Sequence, residues 1–420
     1  MYPLTQKKYD IIIIGAGPAG SLAAKYAVLN GAKVLMVEKK QEIGTPIQCA
    51  GFVPEASEVE DMIPGLTLPA EMKKIQKKCI LSKTKKQRLI APNLKSKEFD
   101  VNGFVLDRRL FDSDLAEQAV KEGADILCGT AAKEILSGSK EHTVKLNGVF
   151  GAAEVTGKII IGADGPNSMV GKTFGLSHSG QIKSDEDDNS NLSAGAPYER
   201  GIGFEYKMTN VDIDTEALEM YFGNEYVPGG YVWIFPEGDG KANVGIGLRN
   251  SRSDEKMSAR SLLNKFIMEH PIASEKLKDG KIMSVHGGII PVSGAPNKTA
   301  THSAMVVGDA AGHVMATNGG GIPFAMAAGK IAGEIAAAAA LEGACGRQLS
   351  VIDYETEWRN AFGYSLDSSV QARKLMDKFT GSDKMLNAAF KLIPADKFKE
   401  MQCGSIPASL KKGLDLLLKF

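Results

Sequence analysis

Gly15-Ala16-Gly17-Pro18-Ala19-Gly20, followed by a carboxylate at Glu38, is the first stretch of this sequence whose residue types and spacing can do chemistry. Gly15 permits a tight turn, Gly17 lets backbone approach a pyrophosphate, and Gly20 lets a helix pack on a strand. An acid about twenty residues further on can accept hydrogen bonds from an adenosine ribose. Two more acids follow apolar runs and stand beside glycines: Asp164 in Gly162-Ala163-Asp164-Gly165, and Asp309 after Gly308. An acid at the carboxyl end of a buried strand lies where open parallel sheets bind ligands. Arg108, at the start of a helix, is placed to reach phosphate or ribose, although alone it reads as a solvated helix-start residue. Cys49-Ala50-Gly51 lies in a Gly- and Pro-rich loop, and a free cysteine is most often a small buried hydrophobe. Tyr231, Trp233 and Phe235 alternate between Pro228 and Pro236, so their rings project from one face of one strand. Such a stripe is ordinarily core.

The elements that must position these residues are legible around them. Ile11 to Ile14 form a continuous apolar run, as a strand buried on both faces requires. Ser21 to Leu29 read as an alanine-rich helix whose N-terminus offers free N–H groups and a positive dipole end to phosphate. Gly31 ends it, and Lys33 to Val37 make a second strand. A helix is expected from Arg108 to about Glu122, with Leu110, Phe111, Leu115, Ala119 and Val120 as its core face. Met305 to Val307 form a strand, and Gly319-Gly320-Gly321 before Pro323 fit a helix start aimed at a ligand. From Ile202 to Leu248 the pattern turns to period two with aromatics, which predicts an antiparallel sheet in a second layer. The fold class is therefore α/β: a Rossmann-type dinucleotide domain, a second antiparallel sheet and C-terminal helices. The expected division is 1–70, 100–175 and 285–340 for the dinucleotide domain, 71–99 and 176–284 for the sheet domain, and 341–420 for the helical region.

Composition narrows the function. Lys+Arg and Asp+Glu balance at 50 each, so no global field recruits nucleic acid. The five cysteines are scattered without a CxxC pair, which argues against a disulfide framework or a zinc site and fits a reducing cytoplasm. No metal is expected, and neither a signal peptide nor a membrane span is read; Ala325 to Leu341 reads as a packed helix. Residues 71–98 carry ten basic side chains against Glu71 and Glu98, a net +8, in a pattern that suggests a hairpin with one basic face. Such a block in a neutral protein points to an anionic surface as partner. The acidic stretch 184–195 reads as a surface loop, and SLKKGLDLLLKF at 409–420 as a basic amphipathic end.

The glycine loop with Glu38, the GADG turn at 162–165, and GDAAG followed by GGGI at 308–322 together resemble the FAD flavoproteins typified by para-hydroxybenzoate hydroxylase. Within that group, Pro228-x-x-Tyr231-x-Trp233-x-Phe235-Pro236 and the Cys49-Ala50-Gly51 loop resemble the geranylgeranyl reductases. The nearest subgroup is the archaeal enzymes that saturate isoprenoid chains of ether lipids. The resemblance implies FAD contacts at Gly15, Gly17, Pro18, Ala19, Gly20, Glu38, Lys39, Cys49, Ala50, Gly51, Arg108, Ala132, Asp164, Gly165, Gly308, Asp309, Gly320, Gly321 and Ile322. It implies catalytic roles for Cys49, Tyr231, Trp233 and Phe235. A hydride would reach one alkene carbon and a proton the other, with Cys49, Tyr231 or the cofactor as proton source. The implied partners are an isoprenoid lipid, an electron donor (a ferredoxin or reduced nicotinamide) and the anionic inner face of the cell membrane, visited peripherally. The alternatives are a flavin monooxygenase or halogenase-like enzyme acting on an aromatic small molecule, and a redox-sensing FAD protein without turnover.

Overall fold

The computed structural model describes residues 7–149, 151–177, 199–249, 258–341 and 350–405. Its first sheet has seven strands. Lys8–Ile14 lies at the centre, parallel to Val34–Val37 on one side and to Gly151–Gly162 on the other. Its isoleucines are almost wholly excluded from water, the burial that a strand with helices or sheet on both faces imposes. Asp125–Leu127 extends the sheet beyond Val34–Val37. The long strand Gly151–Gly162 serves two neighbours. Its first half pairs antiparallel with His142–Gly148, which pairs in turn with Thr130–Leu136, and its last residues pair parallel with Ala304–Val306.

Three helices cover one face: Pro18–Leu29, Arg108–Lys121 and Ile322–Ala340. In the second of these Phe111, Leu115, Ala116 and Ala119 are buried, whereas Val120, expected inward, is 41% exposed. The first and third pack backbone to backbone. A Cβ at Gly329 would come 2.3 Å from the Ala19 carbonyl oxygen, and one at Gly333 would come 2.3 Å from that of Ala23. Ile322–Ala340 is long and apolar enough to cross a membrane, yet 72% of it is buried inside this fold. It is a core helix, as the sequence predicts.

The second sheet has eight strands, in the order Lys281–Pro291, Arg200–Thr209, Lys241–Arg249, Val227–Gly238, Ala217–Gly223, Ile80–Ile90, Ser96–Leu106 and Phe52–Pro54. All neighbours are antiparallel except Ala217–Gly223 with Ile80–Ile90. The strand 52–54 and most of 96–106 and 281–291 lie on the dinucleotide side of the expected boundaries. The reason is pairing: a hairpin such as 80–106 enters a sheet whole, and the edges at 52–54 and 281–291 are needed to complete it. One face packs on the helix Ala259–Glu269 through Leu262, Leu263 and Phe266. The other face carries the aromatic stripe. Helices Tyr364–Thr380, Asp383–Leu392 and Ala395–Gln402 close over that face with Phe379, Phe390, Phe398 and Met401.

The basic stretch within this sheet is not a free +8 face. Lys73 pairs with Glu60, Lys78 with Asp114, Lys85 with Glu216, and Lys86 with Glu98 and Asp214. Arg88 reaches Glu98, Asp214 and the buried Glu219, which Lys276 also holds. The acidic stretch 184–195 and the basic end 409–420 lie outside the described residues.

Candidate active site

The glycine loop is built as its spacing requires. Gly15 adopts φ +103°, and a Cβ there would sit 2.2 Å from the Ala163 carbonyl oxygen, so only glycine lets the two strand ends meet. Gly20 is fixed by packing, since its Cβ would lie 2.0 Å from the Gly15 oxygen. Gly17 differs: nothing lies within 4 Å of the space its Cβ would fill. It is the N-cap of Pro18–Leu29, with Pro18 in the first turn where no helical N–H is forfeited. An open cradle facing a helix N-terminus fits a pyrophosphate.

Glu38 is buried, and both its oxygens accept backbone N–H groups, Oε2 from Ala16 and Oε1 from Lys40, each at 2.9 Å. It ties the glycine loop to the end of the second strand, and each oxygen keeps a further lone pair for a ribose hydroxyl. Lys39 is exposed and does not line the cavity described below, whereas Lys40 does.

That cavity, of about 430 Å³, lies within the usual range for small-molecule sites, about 300–1,000 Å³. It brings together Gly17–Ala19, Cys49–Gly51, Arg108, Gly165, Gly308–Asp309 and Gly320–Ile322 with Tyr231, Trp233 and Phe235. The three rings follow one another at centroid distances of 5.9 and 6.3 Å. They line the cavity and are core as well, for Trp233 is 6% and Phe235 9% exposed. Trp233 fits because Gly245 stands opposite it; a Cβ there would come 2.2 Å from the indole.

Arg108 grips Asp112 through two bonds, Nε to Oδ1 at 2.9 Å and Nη2 to Oδ2 at 3.0 Å. Its guanidinium lies beside the Cys49 sulfur, which accepts the Gly51 N–H at 3.4 Å. Tyr231 donates its hydroxyl to the Asn318 carbonyl at 2.5 Å, steadying the loop before the Ile322 helix. Burial, reinforced by neighbouring Cys49, pushes that hydroxyl well above its ordinary pKa. Asp309, in the turn Gly308–Ala311, is raised by burial, with Arg108 pulling the other way.

Asp164, Ala132, Gly15, Gly20 and Glu38 do not line the cavity. Asp164 Oδ2 instead accepts the N–H groups of Met169 and Val170, so it fastens the turn whose neighbours Ala163 and Gly165 reach the cavity. Ala132 packs in the outer three-stranded part of the first sheet. Conversely, Gln87, Glu205, Met220, Gly287–Ile290, Gln402 and Cys403 line the cavity without having been singled out from sequence. Gln402 offers its carbonyl to Thr317 and Asn318, fixing the C-terminal helices to the glycine-rich loop.

Residues 8–200 match the FAD binding domain, and residues 200–290 match the geranylgeranyl reductase catalytic domain. Over 418 residues the chain is 35% identical to the digeranylgeranylglycerophospholipid reductase of Methanosarcina acetivorans, covering 98% of this chain and 94% of that protein. The chain belongs to the geranylgeranyl reductase family. It is also 34% identical over 416 residues to the digeranylgeranylglycerophospholipid reductase of Methanocaldococcus jannaschii, covering 97% and 98% of the two chains. The crystal structure of a geranylgeranyl bacteriochlorophyll reductase-like protein from Thermoplasma acidophilum superposes with TM-score 0.81 at 26% identity over 98% and 99% of the chains. A flavin-dependent brominase, Bmp2, matches at TM-score 0.67 and 16% identity, a likeness of fold alone. FAD is the cofactor of this family's first domain, and the open cradle at Gly17 fits its pyrophosphate.

Proposed function

We propose that this protein is an FAD-dependent reductase that saturates C=C bonds of geranylgeranyl chains in isoprenoid ether lipids. The observation that carries the reading is one cavity holding both the phosphate cradle at Gly17 and the apolar wall of Tyr231, Trp233 and Phe235. Bound FAD in its reduced form supplies the electron pair. The chain's own residues do the rest. The aromatic wall seats the prenyl chain and keeps water out, and the ring faces favour positive character on a tertiary carbon. An isolated alkene develops no oxyanion, so the cavity needs no oxyanion hole. Cys49 lies against Tyr231 and Arg108, at the junction between the two halves of the cavity. The monooxygenase and halogenase alternative has in its favour only a shared fold.

The lipid substrate also supports peripheral binding at the cytoplasmic face of an anionic membrane. Ile202, Ile282, Met283 and Val285 are exposed apolar side chains on the edge strand and its neighbour. The far end of the edge strand, Gly287–Ile290, lines the cavity. At about 3.3 Å per residue the exposed patch lies within roughly 10–20 Å of the cavity wall. A ferredoxin or reduced nicotinamide is the proposed electron source. Sedimentation with anionic vesicles tests the membrane role: Met283→Asp with Val285→Asp should weaken binding, and a wild-type protein that stays in the supernatant at low salt refutes it.

The function itself is tested by reducing the holoenzyme with dithionite without oxygen and then adding unsaturated isoprenoid lipid. Reoxidation of the cofactor with formation of saturated lipid is expected. A strict requirement for oxygen refutes the reductase and supports the hydroxylase.

A further inference from the structure

Glu205 is the acid on the sheet side of this cavity. It is 3% exposed, and its Oε1 is buried without a hydrogen-bond partner. In the strand register it stands between Gly245 on one side and His286 on the other. A Cβ at Gly245 would touch both the Trp233 ring, at 2.2 Å, and the Glu205 Cβ, at 2.8 Å. The bare glycine therefore lets the carboxyl and the indole meet over one spot on the sheet. Asn243, which accepts Trp233 Nε1–H at 2.7 Å, lies next along the same face.

We propose that Glu205 is the general acid that delivers the proton of alkene reduction, an inference that rests on the reductase reading above. Among the groups beside the aromatic wall it is the one suited to the task, Asp309 lying instead in the turn Gly308–Ala311. The Tyr231 hydroxyl already donates to Asn318, Cys49 serves as acceptor from Gly51, and Trp233 Nε1–H is held by Asn243. A dry site disfavours the carboxylate. Burial raises Glu205 to about 7; Asn243, Lys207 and Arg108 pull it down and Glu237 pushes it up. A neutral carboxyl is thus available up to about neutral pH, and a general acid is most effective when its pKa lies near the pH of the reaction.

The step balances. The alkene π pair forms a C–H bond to the carboxyl proton at the less substituted carbon. The tertiary carbon receives hydrogen with its electron pair from reduced FAD, and Glu205 is left as carboxylate. Water restores its proton by way of His286, which faces Glu205 across the strand pairing. The His286 Nδ1 is buried without a partner, and its Nε2 lies 2.8 Å from the Ser284 hydroxyl on the half-buried edge strand.

The test uses holoenzyme reduced without oxygen and mixed once with a geranylgeranyl lipid, with product followed from pH 5 to 9. Glu205→Gln keeps the shape and removes the proton. It should bind FAD and lipid as wild type does, reduce the double bond roughly 10²- to 10⁴-fold more slowly, and lack the decline in rate expected of wild type above pH 7. A Glu205→Gln enzyme within about threefold of wild type, with the same pH profile, overturns the proposal. If that variant does not fold, difference infrared spectroscopy of the wild type decides. A protonated-carboxyl band titrating near pH 7, shifted when prenyl lipid binds, supports the assignment, and its absence at pH 6 refutes it. Failure of the wild type to reduce lipid at all would strike the reductase reading instead, so the two outcomes are separable.

Discussion

Replacing Glu38 by alanine removes a carboxylate that does two jobs. Its oxygens take the Ala16 and Lys40 N–H groups at 2.9 Å in a buried setting, and we propose that their remaining lone pairs take the ribose hydroxyls of bound FAD. Hydrogen bonds to a charged acceptor are worth about 1.5–3 kcal/mol each. Loss of both backbone bonds should destabilise even the FAD-free protein by about 3 kcal/mol, taking the low end because water can reach the exposed N–H groups. That is a large part of a typical total of about 5–15 kcal/mol. Loss of the ribose contact should add a roughly 10- to 100-fold fall in FAD affinity. Urea unfolding of the apo-protein reads the first effect, and FAD titration well below the unfolding transition reads the second. An apo-protein as stable as wild type would show that Glu38 does not hold the loop. Unchanged FAD affinity in a destabilised variant would remove it from the ribose and leave only its scaffold role.

Trp233→Ala should lower stability by about 3–5 kcal/mol, since the ring belongs to the core, so Trp233→Phe is the informative change. It should retain FAD and lose lipid reduction, and loss of FAD on gel filtration would place Trp233 in the cofactor site instead. His313 is fully buried against Trp358 and Phe362 with neither ring nitrogen partnered, and burial holds its pKa down to about 3. The unfolded chain therefore binds a proton that the folded one refuses between about pH 6.5 and 3. Stability is full above that window and falls as pH drops, by up to about 1.4 kcal/mol per pH unit. His313→Leu should flatten this slope in urea unfolding between pH 4 and 6; an unchanged slope would assign the acid sensitivity to other groups.

What the sequence disclosed was local in origin. Gly15 and Gly20 are demanded by contacts within one strand-turn-helix unit, and the alternation of Tyr231, Trp233 and Phe235 fixes their common face whatever the sheet does. The rest depends on partners distant along the chain. The inward direction of Glu205 depends on its pairing with strands 241–249 and 281–291. An acid two residues from a cavity-facing glycine, in a strand of aromatic alternation, was the available clue. The charge of residues 71–98 is plain in the sequence, yet Glu216, Asp214 and Asp114, which neutralise much of it, come from other elements. Asp164 fits the motif by position, and only the fold reveals that the Met169 and Val170 N–H groups claim it. The closing wall of the cavity was the least legible. Helices 383–392 and 395–402 have apolar faces but carry no mark of what they cover.

The tie between Glu58 and Lys399, 341 residues apart, has a bearing on how such a chain comes into being. During synthesis the glycine loop and its first strands emerge early, but the edge strand 281–291 and the wall near Gln402 are still unmade. Contacts of such long separation slow folding, because the intervening chain must be ordered before they are rewarded. The nascent protein must therefore carry a partly finished, apolar second sheet for most of its synthesis. A strand edge left open for that time is prone to pairing with other chains.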